Sequence, residues 1–326
     1  MESLSPGKIR ALQACASPQG VFSILAIDHR DSLRAILAPK APRSVAAETL
    51  TNIKMAIVQH AAPAASAVLL DPVYSAGQSI VGWQLPGHIG LLCALEEQGY
   101  LGDPTNRRTP LLAGWSVEKA KRLGANGIKL LLFYHPGVGA ASQEQERVVC
   151  SVAADCQRHE IAFFLEPITY SVDADIPKGS AQFAPLRRGI VVETVRRLSV
   201  LGPDILKVEF PIDVRHQADQ TVWAEACAEL NAASRVPWTL LSAGEPFETF
   251  KEQLQIACQA GCSGFVAGRA IWQEAVHLSG EQRVDFLAKT ARQRLVDLNQ
   301  IALDHGKAWT TWYSETQVDE SWFLGY

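Results

Sequence analysis

Eight short apolar runs alternate along the 326-residue chain with longer amphipathic stretches, and that alternation narrows the fold more than any other feature. The runs cover residues 21–27, 67–70, 109–113, 127–133, 161–165, 204–208, 237–241 and 264–267. Their unbroken apolar character marks strands buried on both faces, as in a parallel sheet covered by helices. The run 109–113 is the least regular, because Pro110 fits only an edge or the start of a strand. The stretches between carry helix punctuation. Ser44 is placed to cap a helix reaching about His60, Ser116 one that stops near Gly124, and Pro246 opens one ending at Gly261. Eight strand–helix units without a repeat or linker predict an α/β fold, the (β/α)8 TIM barrel. It is expected to span residues 1–326 as a single domain, with an N-terminal extension over about 1–18 and an aromatic tail over about 306–326. A doubly wound open sheet would carry a glycine-rich loop after its first strand. Here that position reads Asp28-His29-Arg30-Asp31.

Composition agrees with a large folded core. Hydrophobic residues make up 48% and charged residues 20%, which argues against disorder. A formal net charge of -4 with no long basic run points away from nucleic acid and anionic membranes. No stretch reaches the roughly 18 apolar residues of a membrane span, and the first residues lack a signal-like apolar segment, so a cytoplasmic protein is expected. The seven cysteines are odd in number and form no Cys-x-x-Cys pair, which reads as small buried thiols rather than a disulfide framework or zinc site. The histidines show no paired metal-ligand spacing; no metal or other cofactor is expected.

In a TIM barrel, chemistry gathers at the C-terminal ends of the strands. The first run ends in Asp28, His29 and Arg30, the second in Asp71 and the fifth in Glu166. The fourth contains Lys129 and the sixth Lys207, with Glu209 just beyond it. A lysine inside a strand buried on both faces is costly to desolvate. Desolvation and a neighbouring cation, for which Lys129 is the candidate, both lower a lysine's pKa. The neutral amine then attacks a carbonyl and forms a Schiff base. Glu166, on the strand between the two lysines, is placed to balance charge or shuttle a proton. Side-chain alternation puts Lys207 and Glu209 on one face, making Glu209 a second candidate carboxylate. A buried ion-pair network that only fixes packing is the bland alternative. The last two strand ends, Ser242-Ala243-Gly244 and Gly268-Arg269, offer backbone N–H groups, a hydroxyl and a guanidinium fork suited to an anion. The tail residues Trp309, Trp312, Tyr313, Trp322, Phe323 and Tyr326 read as packing against the barrel, an oligomer contact or a lid over the site.

Several of these segments resemble the class I tagatose 1,6-bisphosphate aldolase family, which includes the sulfofructose 1-phosphate aldolases. They are Leu25 to Arg30, Leu69 to Tyr74, Gly127 to Tyr134, Leu165 to Tyr170, Asp204 to Glu209, Leu241 to Gly244 and Ala267 to Ala270, in the family's order. The resemblance implies an iminium between Lys207 and a ketose C2, with Glu166 and Lys129 at the reacting centre and Asp28 near the substrate hydroxyls. It implies anion recognition by Ser242, Gly244 and Arg269. Where the family usually reads Asp-Gln-Arg, this chain has Asp28-His29-Arg30.

The expected activity is a retro-aldol cleavage of a ketose 1-phosphate bearing a C6 anion, giving dihydroxyacetone phosphate and an aldehyde. Catalytic roles fall to Lys207, Glu166 and Lys129. Substrate binding falls to Asp28, His29, Arg30, Asp71, Ser242, Gly244, Gly268 and Arg269. A C6 phosphate makes it a tagatose or fructose bisphosphate aldolase, and a C6 sulfonate a sulfofructose 1-phosphate aldolase. A metal-dependent aldolase on the same barrel and a non-catalytic sugar-phosphate sensor are the rivals. The expected partner is a small phosphorylated sugar, with no nucleic acid and no membrane, in a homo-oligomer.

Overall fold

A computed structural model describes residues 3–326. Eight parallel strands close into a barrel: β1 (Phe22–Ala26), β2 (Ala67–Leu70), β3 (Gly90–Ala94), β4 (Gly127–Phe133), β5 (Ala162–Ile168), β6 (Ile205–Val208), β7 (Trp238–Leu241) and β8 (Gly264–Ala267). Phe22 of β1 lies in register with Gly264 of β8, which closes the ring. Helices alternate with the strands and cover the outside, so the fold is the expected TIM barrel. Among the described residues, no helix is long and apolar enough to cross a membrane.

The period of two along each strand sorts side chains into two cores. Leu25, Val68, Leu70, Ile128, Leu130, Phe163, Leu165, Leu206 and Val208 face the helices. Phe22, Ile24, Ala67, Leu69, Leu92, Ala162, Phe164, Ile205 and Val266 fill the barrel interior. Continuing the inward set by two residues from Ala26, Gly127, Phe164 and Ile205 leads to Asp28, Lys129, Glu166 and Lys207. The charged residues therefore form the uppermost inward layer, at the C-terminal mouth, above an apolar plug.

Two sequence expectations fail. Residues 109–113 are not a strand. They belong to the long excursion after β3, touching the barrel through an isolated bridge between Glu96 and Leu111. The third strand is Gly90–Ala94, inside the apolar run 89–95. Its Gly90 is required by packing: a Cβ there would stand 2.3 Å from the Ala14 carbonyl oxygen. Ser44 does not cap the following helix, which runs Ala47–Ala61 behind Ala46. Its hydroxyl donates instead to the Ala41 carbonyl within a 3-10 turn over Pro42–Ser44. The other two helices behave as read. Ser116 Oγ accepts the Lys119 N–H ahead of Val117–Leu123, which ends at Gly124 in the left-handed region. Pro246 precedes Phe247–Gln259.

Both chain ends close the N-terminal mouth. The helix Pro6–Cys15 packs against β3, β4 and β5 from below, and its Lys8 makes a buried ion pair with Asp204 at 2.7 Å. Trp309 is buried and its backbone N–H donates to the Gly20 carbonyl, while the Tyr313 hydroxyl donates to the Asp204 carbonyl at 2.6 Å. The tail thus packs at the end of the barrel opposite the charged layer, which removes the lid reading.

Candidate active site

The C-terminal mouth opens into a cavity of about 880 Å³. Asp28, His29, Arg30, Lys129, Glu166, Lys207, Ser242, Gly244, Gly268 and Arg269 all line it. Asp71 does not. β2 ends one residue earlier, and the Asp71 carboxylate turns back to accept the N–H groups of Val73 and Tyr74 at 3.0 and 2.8 Å. It is fully buried in an ion pair with Lys54 on the outer helix Ala47–Ala61. Its role is to hold the β2 turn, and the expectation of a substrate contact is corrected.

Glu166 is the centre of the charged layer. Its Oε1 lies 2.8 Å from Lys207 Nζ and its Oε2 lies 2.9 Å from Lys129 Nζ. The carboxylate therefore stands between the two ammonium groups, so Lys129 does not face Lys207 as a bare cation. Glu166 Oε2 receives no directed hydrogen bond despite that short approach, which leaves it a lone pair for a ligand proton. Lys129 also donates to Asp28 Oδ2 at 2.7 Å and to Glu96 Oε1 at 2.6 Å. Burial alone would lower the Lys129 ammonium, but Asp28, Glu166 and Glu96 outweigh it and hold the group well above the ordinary lysine value. Lys129 is thus a fixed cation. Asp28 shows the converse balance: burial would raise its carboxyl, and Lys129 and Lys207 hold it well below the usual carboxylate range.

Glu96 escaped the sequence reading because its strand did. The apolar run 89–95 ends directly on it, the same signal that exposes Asp28 and Glu166. Its second oxygen accepts the Leu131 N–H at 3.0 Å, and its carbonyl accepts from Arg30 Nη2 at 2.6 Å. Arg30 is thereby fixed in the cavity wall. Glu209 is buried in the wall too, but its oxygens are occupied by the Thr169 N–H at 2.9 Å, the Thr169 hydroxyl at 2.8 Å and Lys178. That leaves Glu166, not Glu209, as the carboxylate open to a ligand.

His29 packs edge-on against Trp272, and its Nδ1 is buried without a hydrogen-bond partner. Burial, only partly offset by Asp28, lowers the imidazole from 6.5 to about 3, so it is neutral at pH 7. The unfolded chain takes up a proton here near pH 6.5, whereas the native state resists until about 3. Stability is therefore lost as pH falls through that window, by up to about 1.4 kcal/mol per pH unit from this group. Urea unfolding between pH 4.5 and 7 should show a shallower loss for His29→Gln than for the wild type. Equal slopes would mean that His29 titrates normally in the folded protein.

Across the mouth, Ala243 and Gly244 have φ of 50° and 86°, a tight turn that carries the β7 loop over Arg269. A Cβ on Gly244 would lie 2.9 Å from the Arg269 guanidinium carbon. The absence of a Cβ lets the guanidinium pack close against the turn, and its fork of N–H donors suits a tetrahedral oxyanion. Gly244→Ala should cost about 1–3 kcal/mol for the left-handed residue alone, read by denaturant unfolding, and should displace Arg269. Unchanged stability would contradict this geometry.

A model of the DeoC/LacD family aldolases matches residues 22–274. The chain belongs to the DeoC/LacD aldolase family. A tagatose 1,6-diphosphate aldolase of Staphylococcus aureus (strain JH9) is 30% identical to it, over 94% of this chain and 98% of that protein. Among solved structures, an archaeal fructose-1,6-bisphosphate aldolase, with its catalytic lysine bound to the carbinolamine intermediate, matches with a TM-score of 0.56. That match is 17% identical and covers 89% of this chain and 99% of the other. Plasmodium falciparum fructose-bisphosphate aldolase matches with a TM-score of 0.65 at 13% identity, over 94% and 98%. Those two share the fold. The protein is an aldolase and hence a lyase, and the charged mouth of its barrel is the place to look for its chemistry.

Proposed function

We propose that this aldolase works through a Schiff base at Lys207, cleaving a ketose 1-phosphate that carries a second anion at C6 into dihydroxyacetone phosphate and an aldehyde. The observation that carries this reading is Glu166 held between two buried ammonium groups, 2.8 Å from Lys207 and 2.9 Å from Lys129. The names of the tagatose and archaeal fructose bisphosphate relatives point to the same substrate class.

The Lys207 amine attacks the C2 carbonyl, and the carbinolamine loses water to give an iminium. Glu166 takes the C4 hydroxyl proton. The C3–C4 bond breaks, its electrons flow into the iminium to form an enamine, and the aldehyde leaves. A proton returns to C3, and water hydrolyses the iminium to release dihydroxyacetone phosphate and the free amine. Lys129, fixed as a cation by Asp28 and Glu96, stabilises oxyanions that develop along this path. The C1 phosphate sits at Ser242, Gly244 and Arg269, with Asp28, His29, Arg30 and Gly268 completing the wall.

Borohydride reduction in the presence of dihydroxyacetone phosphate should attach the three-carbon phosphate to Lys207, read by peptide mass analysis. No adduct, or an adduct on another lysine, sinks the assignment. The C6 group is a phosphate in the bisphosphate reading and a sulfonate in a sulfofructose 1-phosphate reading. Comparing tagatose and fructose 1,6-bisphosphates with the 6-sulfo analogue decides between them.

A further inference from the structure

The cavity has a second cationic wall that the reaction above does not use. Lys178 lies in the segment between β5 and the helix Ala184–Leu198, Arg187 lies in that helix, and both line the cavity. Glu209, at the end of β6, holds them there. Lys178 Nζ donates to Glu209 Oε1 and to the Thr169 carbonyl, the latter at 2.6 Å, which leaves one of its three N–H groups free. Arg187 donates through Nε to the Phe210 carbonyl at 2.9 Å, and its Nη2 stays 3.9 Å from Glu209, beyond hydrogen-bond range. A single buried carboxylate therefore faces two half-buried cations that keep unspent donors. Arg215, also on the cavity wall, is mostly exposed and committed to Asp213 through both Nε and Nη2. Packing alone does not require two cations against one carboxylate, because even a partly desolvated charge carries a cost. Burial lowers Lys178, with Arg187 and Arg107 adding to that effect against the pull of Glu209, so the cluster gains from an arriving anion.

Barrel order then fixes the layout. Arg269 follows β8 and the Lys178 segment follows β5, with Lys207 on β6 between them. A ligand whose carbonyl reaches Lys207 has a cationic wall on either side.

We propose that Lys178 and Arg187, held by Glu209, form a second anion subsite that takes the tetrahedral oxyanion at the end of the substrate distal to Arg269. This rests on the Schiff-base reading for which end of the sugar is which. The shared chemistry is a phosphate or sulfonate, and Arg187 supplies a fork for either.

The test compares Lys178→Met and Arg187→Met with the wild type on a ketose 1,6-bisphosphate and on the matching ketose 1-phosphate. The ratio of the two kcat/KM values should fall about tenfold or more in each variant, carried by KM for the bisphosphate, as expected for one lost charge-assisted hydrogen bond. A ratio that falls less than this in both variants overturns the subsite. Borohydride trapping of dihydroxyacetone phosphate on the same variants confirms that they fold and keep Lys207 reactive. Lys178→Arg, which preserves the charge, should recover most of the ratio. Calorimetric titration with inorganic phosphate reads the subsite without turnover: two equivalents for the wild type, one for each Met variant. One equivalent for all three overturns the subsite even if Lys207 is not the nucleophile. Repeating the kinetics with the 6-sulfo substrate assigns the source of the oxyanion.

Discussion

On the Schiff-base reading, Lys207→Ala should lower kcat/KM for the ketose 1-phosphate on the order of 10⁵-fold, about 7 kcal/mol of transition-state stabilisation, because deleting the proposed covalent nucleophile removes the whole route. Glu166, Lys129 and Arg269 would still bind the substrate, so KM should move far less than kcat. Lys207→Arg separates the two jobs that a lysine can do at this position. Arginine keeps the charge and can pair with Glu166, but it never becomes a neutral amine. If the ammonium acted only as an electrostatic group, the Arg variant would retain much of the activity. The covalent role requires it to be as inactive as the Ala variant and to take up no borohydride label. Activity of Lys207→Arg within about a hundredfold of the wild type would end the covalent assignment.

The second large effect is expected at Glu166. Glu166→Gln keeps the shape and an acceptor oxygen for one of the two lysines, but it turns an NH2 toward the other and cannot accept the C4 hydroxyl proton. Loss of a positioned acid–base group costs about 10² to 10⁴ in rate, and the loss should appear in kcat. The borohydride adduct at Lys207 should still form, because the defect lies in C–C cleavage. A kcat within threefold of the wild type would show that another group takes the proton. Glu209 is a poor substitute. Its oxygens are spent on Thr169 and Lys178, and Lys178 and Arg187 hold its carboxyl below the ordinary value against the effect of burial. The charges here also compensate one another: Lys129 cannot donate its proton readily because three carboxylates surround it, whereas Lys207 meets only Glu166.

Sequence alone determined what local periodicity can carry. Unbroken apolar runs imply strands buried on both faces, and eight of them with helices between imply a closed barrel. Alternation by two puts Asp28, Lys129, Glu166 and Lys207 on the inner face at the mouth, and it does so from residues adjacent in the chain. Glu96 is open to the same reasoning at the end of the apolar run 89–95, but the apolar run 109–113 competes for the third strand despite its Pro110. The tertiary structure decided whatever depends on how the chain turns after a strand and what then meets it. Asp71 has the inward parity of Ala67 and Leu69, yet its carboxylate caps its own turn and pairs with Lys54 on an outer helix. The aromatic tail carries no mark of which mouth it closes; Tyr313 meets Asp204 at the N-terminal end. Lys178 and Arg187 lie in a loop and a helix with no periodic signal, and only the closure of the barrel brings them to Glu209. A strand's inward face is set by a repeat of two residues. The partners of a loop side chain are set by contacts between segments tens of residues apart, which no local pattern records.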